Sequence, residues 1–288
     1  VAYPAAQNEY KEVVEFAREI DNITDFQPWD LAYYSNKLKE KKYAYDPEEL
    51  RPWLKVEDVL SGLFIVANRL YGIEMKQVND IPTWHPEVST WEAYDRDGNY
   101  LGLLYLDLFP RETKRGGAWQ TTFQTAGLYS DGIRRPQVAI VASLTPSTPE
   151  QPSLLLLDEA RTIFHEFGHA LHSLLADGYY KSLSGTNVLW DFVELPSQLM
   201  ENWLLEEEAL KLFTRHYETG EPLPEELLQK VIAAKNFQAG LANINQLRYG
   251  YLDLAWHITP VEKITDVDAF EKEVIKRFQY EDFKNRLS

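Results

Sequence analysis

His165, Glu166 and His169 stand in the run HEFGHALH at residues 165 to 172, which fits the pattern H-E-x-x-H. If that run is helical, residues four apart are rotated by only about 40° and displaced by about 6 Å along the axis, so the two imidazoles project side by side. Two imidazoles so placed can grip one Zn²⁺ at about 2.0 to 2.1 Å each. Glu166 is misaligned for direct ligation, but it can take a proton from a water held there. This is chemistry suited to metal-assisted hydrolysis.

A catalytic zinc takes three protein ligands as a rule and leaves the fourth position to water. A third histidine ten residues after the first is excluded, because Leu175 occupies that position. His172 shares the face of His165 but lies about 10.5 Å along the helix from it, too far to share an ion, and is expected as a cleft wall or an outer donor. Downstream, Leu189 to Trp203 begins a second helical run rich in carboxylates. Glu194 there would complete a His, His, Glu set, with Asp191 and Glu201 competing on spacing alone. Ligating histidines also need a partner on the other ring nitrogen, and Glu159, Asp191, Gln198 and Glu201 are the candidates.

The elements that must hold these groups can be read around them. Ile163, Phe164, Phe167, Ala170, Leu171, Leu174 and Leu175 form an apolar stripe through the motif, as an amphipathic helix requires, with Asp158 as expected N-cap and Gly178 as expected stop. Residues 5–21, 28–42 and 56–72 read as helices, placing a helical stretch over 1–89. Residues 90–145 are β-rich: Trp91–Tyr94 and Tyr100–Phe109 flank the turn Asp95-Arg-Asp-Gly98, and Val138–Leu144 is a third strand. From 153 to 288 the pattern is helical again and carries the candidate metal residues. The expected class is α+β, mainly helical with a small sheet.

HEFGHALH, followed by SLSGTNVLWDFVELPSQLMENW at 182 to 203, resembles the signature of the thimet oligopeptidase and neurolysin family of zinc metallopeptidases, which includes oligopeptidase A and bacterial peptidyl-dipeptidase. PWDLAYYSNKL at 28 to 38, LYLDLFPRETKRGGAW at 104 to 119 and KNFQAGLANINQLRYGYLDLAWH at 235 to 257 agree, so the likeness covers most of the chain. The resemblance implies one metallopeptidase catalytic region over 1–288, a zincin-like gluzincin with its zinc site between the HEFGH helix and the helix carrying Glu194. It implies one Zn²⁺ held by His165, His169 and Glu194, with Glu166 as general base and short peptides as substrates. DFVELPSQ leans toward peptidyl-dipeptidase over oligopeptidase. The family's N-terminal half and its C-terminal segment of His and Tyr residues find no match here, so a catalytically incomplete zinc-binding fragment, acting as a structural or partner module, is the alternative expectation. Donors aimed at the oxyanion are worth about 10²-fold to 10³-fold in rate.

Substrate contacts are expected from Gly116 and Gly117, whose backbone could approach an extended peptide, with Lys114 or Arg115 holding a carboxylate. The same segment could equally be a hairpin loop with Trp119 in the core. His172 and Tyr249 are further candidates. His85, His216 and His257 read as ordinary surface or core residues.

A formal net charge of -16 argues against nucleic acid as a partner, because such binding rests on Lys and Arg. The chain has no cysteine, which removes disulfides and thiolate metal sites. No apolar run reaches the roughly 18 residues of a spanning helix, so no membrane role is expected. The cytoplasm is the expected compartment, with the periplasm open because the start reads as truncated.

Overall fold

A computed structural model describes residues 1–44 and 46–278. A run rich in acidic and basic residues from Asp266 to Lys284 lies partly outside the described residues. In chain order the elements are helices α1 (Ala2–Asp21), α2 (Asp30–Tyr43), α3 (Pro47–Leu50) and α4 (Val56–Tyr71), then strands β1 (Glu74–Val78), β2 (Ser89–Tyr94), β3 (Tyr100–Asp107), β4 (Trp119–Gln124), β5 (Gly127–Tyr129), β6 (Gly132–Arg134) and β7 (Gln137–Val141). Helices α5 (Leu157–Leu174), α6 (Trp190–Val193), α7 (Leu195–Leu204), α8 (Glu207–Phe213), α9 (Glu225–Ala234), α10 (Ala239–Ile258) and α11 (Val267–Ile275) follow. The α+β class is as expected. The chain divides into two compact units, residues 1–45 with 233–288, and residues 46–232.

The first unit is helical. Ala6, Tyr10 and Val14 on α1 bury against Leu241 and Ile244 of α10, while Val13, Phe16 and Ala17 bury against Tyr34 and Leu38 of α2. Spacings of three and four residues on α1 thus serve two neighbours at once. Both oxygens of Glu9 accept from the first free N–H groups of α10, at Gly240 (3.1 Å) and Leu241 (2.7 Å).

The second unit is a five-stranded sheet in the order β1-β2-β3-β7-β4, with helices against it. The β3–β7 pair is parallel and the other pairs are antiparallel. The expected hairpin is present as β2 and β3. Alternation along β3 divides its side chains: Leu103 and Tyr105 join Val88, Ala139 and Val141 on one face, while Leu104 and Leu106 are fully buried on the other. Gly102 shares the latter face, and a Cβ there would stand 2.8 Å from Leu174 of α5, so this is the face that α5 covers. Helix α5 packs on β3, β7 and β4.

Four strands were not foreseen. β1 falls within the stretch expected to be helical, and β4 crosses residues read only as loop and core; both are edge strands with no fully buried side chain, β1 mostly exposed and β4 mostly half-buried, so neither carries a clean two-residue alternation. β5 and β6 are three residues each.

Helix α5 is fixed along its whole length. Phe164 and Phe167 are fully buried and meet Phe213 (6.1 Å between ring centroids) and Phe64 (5.7 Å). Arg135 closes its C-terminal end, donating from Nε to the Leu101 carbonyl (2.9 Å) and from Nη2 to the Leu174 carbonyl (2.8 Å). The expected boundaries need correction. Leu156, not Asp158, is the N-cap residue, and the helix stops at Leu174, with Gly178 beyond it in the loop. A leucine can hold the N-cap position because Glu159 reaches back to accept from the Leu156 N–H at 2.8 Å.

Candidate metal centre and its cleft

Helix α7 runs antiparallel to α5, as its contacts show: His165 of α5 meets Glu201, Gly168 meets Pro196 and Ser197, and His169 meets Glu194. The approach is close. A Cβ on Gly168 would lie 2.5 Å from both the Pro196 carbonyl oxygen and the Ser197 Cα, so the glycine of HEFGH is what lets the two backbones meet. The run expected as one helix from Leu189 is split into α6 and α7, with Glu194 at the junction. Pro196 explains the split, since it has no N–H for the Phe192 carbonyl and is tolerated only at a helix start.

That junction delivers the Glu194 carboxylate to the two imidazoles. His165, His169 and Glu194 place one donor atom each within 4.8 Å of one another, a group that could hold a metal ion. Glu194 Oε2 is 3.2 Å from Nε2 of both histidines. The other face of His165 decides what this means. Its Nδ1 lies 2.6 Å from Glu201 Oε1, so Nδ1–H donates to that carboxylate and the Nε2 lone pair is left facing Glu194. His165 Nε2 and Glu194 Oε2 thus face one another as acceptors, a repulsion that a cation between them relieves. A second proton is disfavoured on His169, because burial holds its pKa below the usual histidine value against the pull of Glu194. The donor set therefore fits a divalent ion, and two imidazoles with one carboxylate suit zinc.

Glu194 is itself held. Ser197 Oγ, fully buried, donates to Glu194 Oε2 (2.7 Å) and to the Glu194 carbonyl (2.9 Å). Ser197 escaped the sequence reading, although a serine three residues after a helix-entry carboxylate is a known local hydrogen-bond pattern. Arg161 escaped as well: its Nε donates to Glu201 Oε2 at 2.6 Å.

Glu166 is 7% exposed and is not one of the converging donors. Burial pushes its carboxyl above the usual range, while His165 and the Gln120 backbone pull it back. It lines a cleft of about 510 Å³ with Ala118, Asp158, Arg161, Thr162, His165 and Glu201.

The remaining candidates are distributed differently. Glu201 is the histidine partner. Glu159 is not: its Oε1 accepts from the Thr145 N–H (2.7 Å) and hydroxyl (2.9 Å), and its Oε2 caps α5. Asp191 and Gln198 line a shallow cleft with Glu194, and among the described residues neither bonds to a histidine. His172 lines an apolar pocket of about 440 Å³ with Gly168, Leu171, Leu195 and Leu199, and burial lowers its pKa. Gly116 and Gly117 are exposed, with open space where a Cβ would be, in the loop that leads through Ala118 into edge strand β4. Lys114 is not available to a substrate carboxylate, because its Nζ donates to Asp107 Oδ1 (3.0 Å) and to the carbonyls of Asp107 (2.7 Å) and Phe109 (2.8 Å). Tyr249 lies exposed on α10 in the other unit, beneath the Arg248 guanidinium. No helix among the described residues is long and apolar enough to cross a membrane.

The chain carries two packed helices whose donors could hold a metal ion, with a buried carboxylate nearby, and its match to a known family is specific. The chain belongs to Peptidase family M3, whose family model matches residues 1–284. It is 43% identical over 258 residues to oligopeptidase A of Salmonella typhimurium, covering 89% of this chain and 38% of that protein. It is 39% identical over 247 residues to the dipeptidyl carboxypeptidase of Escherichia coli, covering 85% and 36%, and 33% identical over 238 residues to saccharolysin of Saccharomyces cerevisiae, covering 80% and 33%. The chain thus spans well under half the length of these curated relatives. The family suggested by HEFGHALH and its downstream partner motif is the family found.

Proposed function

We propose that residues 1–288 form part of the catalytic region of a zinc peptidase that hydrolyses short peptides, with a gluzincin-type site. His165, His169 and Glu194 would hold the ion. The observation that carries this reading is the convergence of these donors on two packed helices, with Glu166 buried in the adjoining cleft. The relatives' names, oligopeptidase A and dipeptidyl carboxypeptidase, supply the substrate class.

A zinc ion held by His165, His169 and Glu194 would supply a Lewis acid for activating a water and the scissile carbonyl. The protein's own groups do the rest. Glu201 fixes the tautomer of His165 so that Nε2 presents its lone pair. Ser197 fixes the rotamer of Glu194. Glu166 takes a proton from the attacking water and delivers it to the leaving amine; a carboxyl raised by burial is better poised for both steps than an exposed one. Edge strand β4 begins beside this cleft, a place where an extended peptide could lie along the sheet. The lean of DFVELPSQ toward release of dipeptides from free C-termini belongs to this proposal as its narrower form.

The test is turnover of a quenched fluorescent peptide by the zinc-loaded chain. Cleavage that vanishes in Glu166→Gln while zinc is retained supports the proposal. Zinc retention with no cleavage by the unaltered chain would reject it in favour of a zinc-binding module that needs further chain or a partner to turn over.

A further inference from the structure

Arg161 and His165 are four residues apart on α5, so they share a helix face, and both reach the same carboxylate on α7. Arg161 donates from Nε (2.6 Å) and Nη2 to Glu201 Oε2, while His165 Nδ1 meets Glu201 Oε1 at 2.6 Å. Each carboxylate oxygen thus has one owner. The Glu201 side chain is 15% exposed and that of Arg161 is 56% exposed, so the arginine closes the open side of a largely buried glutamate.

We infer that Arg161 is a positioning residue for the metal centre, acting through Glu201 on His165. Two physical arguments converge on it. A glutamate side chain has three rotatable bonds, and a single hydrogen bond to His165 would leave Oε2 free to swing toward solvent; the Arg161 fork pins that oxygen and so orients Oε1. Charge works in the same direction. The cleft is lined by the carboxylates Asp158, Glu166 and Glu201, and Arg161 is the cation among its lining residues. Without that cation the repulsion between Glu201 and its neighbouring carboxylates would favour rotamers pointing away from His165. The chain Arg161, Glu201, His165 therefore converts a surface guanidinium into control over which ring nitrogen of His165 is free.

This inference rests on the proposed metal site, and a double-mutant cycle on zinc affinity, measured by competition with a chromophoric chelator, separates the two. Loss of an outer-shell partner of a ligating histidine costs about 10-fold to 100-fold in metal affinity. Arg161→Met is expected to weaken zinc about tenfold in the otherwise native chain, and Arg161→Lys, which keeps the cation but not the fork, should recover part of that loss. In a Glu201→Ala background Arg161→Met should change affinity by less than about twofold, because there is nothing left for it to position. Thermal unfolding of the apo proteins should coincide within about 2 °C, as expected for an exposed substitution. Equal losses in both backgrounds, or no loss in the native one, would overturn the inference while leaving the metal site intact. A native chain that retains no zinc would overturn both.

Discussion

Two clusters of titratable side chains in the 46–232 unit, each built around a carboxylate, differ in what they leave unsatisfied. Around Asp107, both carboxylate oxygens are fully claimed: Oδ1 accepts from Arg111 Nη1 (2.7 Å) and Lys114, and Oδ2 from Arg111 Nη2 (2.8 Å) and Trp84 Nε1 (2.9 Å). The three donors of Lys114 are spent on Asp107 and two backbone carbonyls. At the candidate metal centre the order is reversed, since His165 Nε2, its other ring nitrogen engaged by Glu201, and Glu194 Oε2 face one another as acceptors at 3.2 Å, with His169 Nε2 equally close to that oxygen. A closed cluster ties the 109–118 loop to the end of β3; an open one asks for a cation.

The comparison can be broken first at its closed member. Asp107→Ala leaves Lys114, with a side chain 3% exposed, charged and without its counterion. Breaking a buried pair this way costs about 3 to 5 kcal/mol, so chemical denaturation should register a loss of that size while zinc affinity is unchanged. The open member should show the opposite pattern. Glu194→Ala is expected to lower zinc affinity by more than about 100-fold, beyond the range of an outer-shell partner, and to leave apo stability within about 0.5 kcal/mol because the residue is half-exposed.

Acid sharpens the contrast further. Burial alone would raise the Asp107 carboxyl, but hydrogen bonds from Arg111, Trp84 and Lys114 overcome it and hold the pKa down at about 2, below the ordinary aspartate value. A depressed folded pKa gives stability that is fully present above the unfolded value and lost as pH falls through the folded one. About 2 kcal/mol should therefore disappear between about pH 4 and pH 2, and the Asp107→Asn protein should lack that component. The smallest effect is expected from Gly168→Ala. Alanine favours a helix interior by about 1 kcal/mol, yet its Cβ meets backbone on α7, and overpacking costs about 1 to 3 kcal/mol. A net loss of about 1 kcal/mol, with weaker zinc binding as α7 and Glu194 are pushed outward, would be read by unfolding and chelator competition.

Much of the site was legible because it is local. His165, Glu166 and His169 lie within one helical turn or so, and the apolar stripe through Phe164, Phe167 and Leu171 declared the helix that carries them. Glu194 was legible only as one of three carboxylates on spacing, because choosing among them requires knowing how α7 packs on α5. That packing depends on Gly168 against Pro196 and Ser197, a contact between backbones that no hydrophobic pattern records. Glu159 was misread for a related reason: its task, capping α5 and holding Thr145, is set by a loop conformation. Ser197 and Arg161 went unseen because neither is among the converging donors: Ser197 bonds to Glu194, and Arg161 bonds to the carboxylate that meets His165. In the sheet, β2 and β3 were announced by the Asp-Gly turn, whereas edge strands β1 and β4 have too little one-sided burial to signal themselves.

The central claim is that His165, His169 and Glu194 together hold one zinc ion through nitrogen and oxygen. X-ray absorption at the zinc edge, with elemental analysis on the same sample, addresses it directly. One zinc per chain is predicted, with about four nitrogen or oxygen neighbours at about 2.0 to 2.1 Å and the outer-shell scattering of two imidazoles, reduced to a weakly held ion in Glu194→Ala. A six-oxygen shell without imidazole scattering, or a chain that retains no zinc after gel filtration, would contradict it.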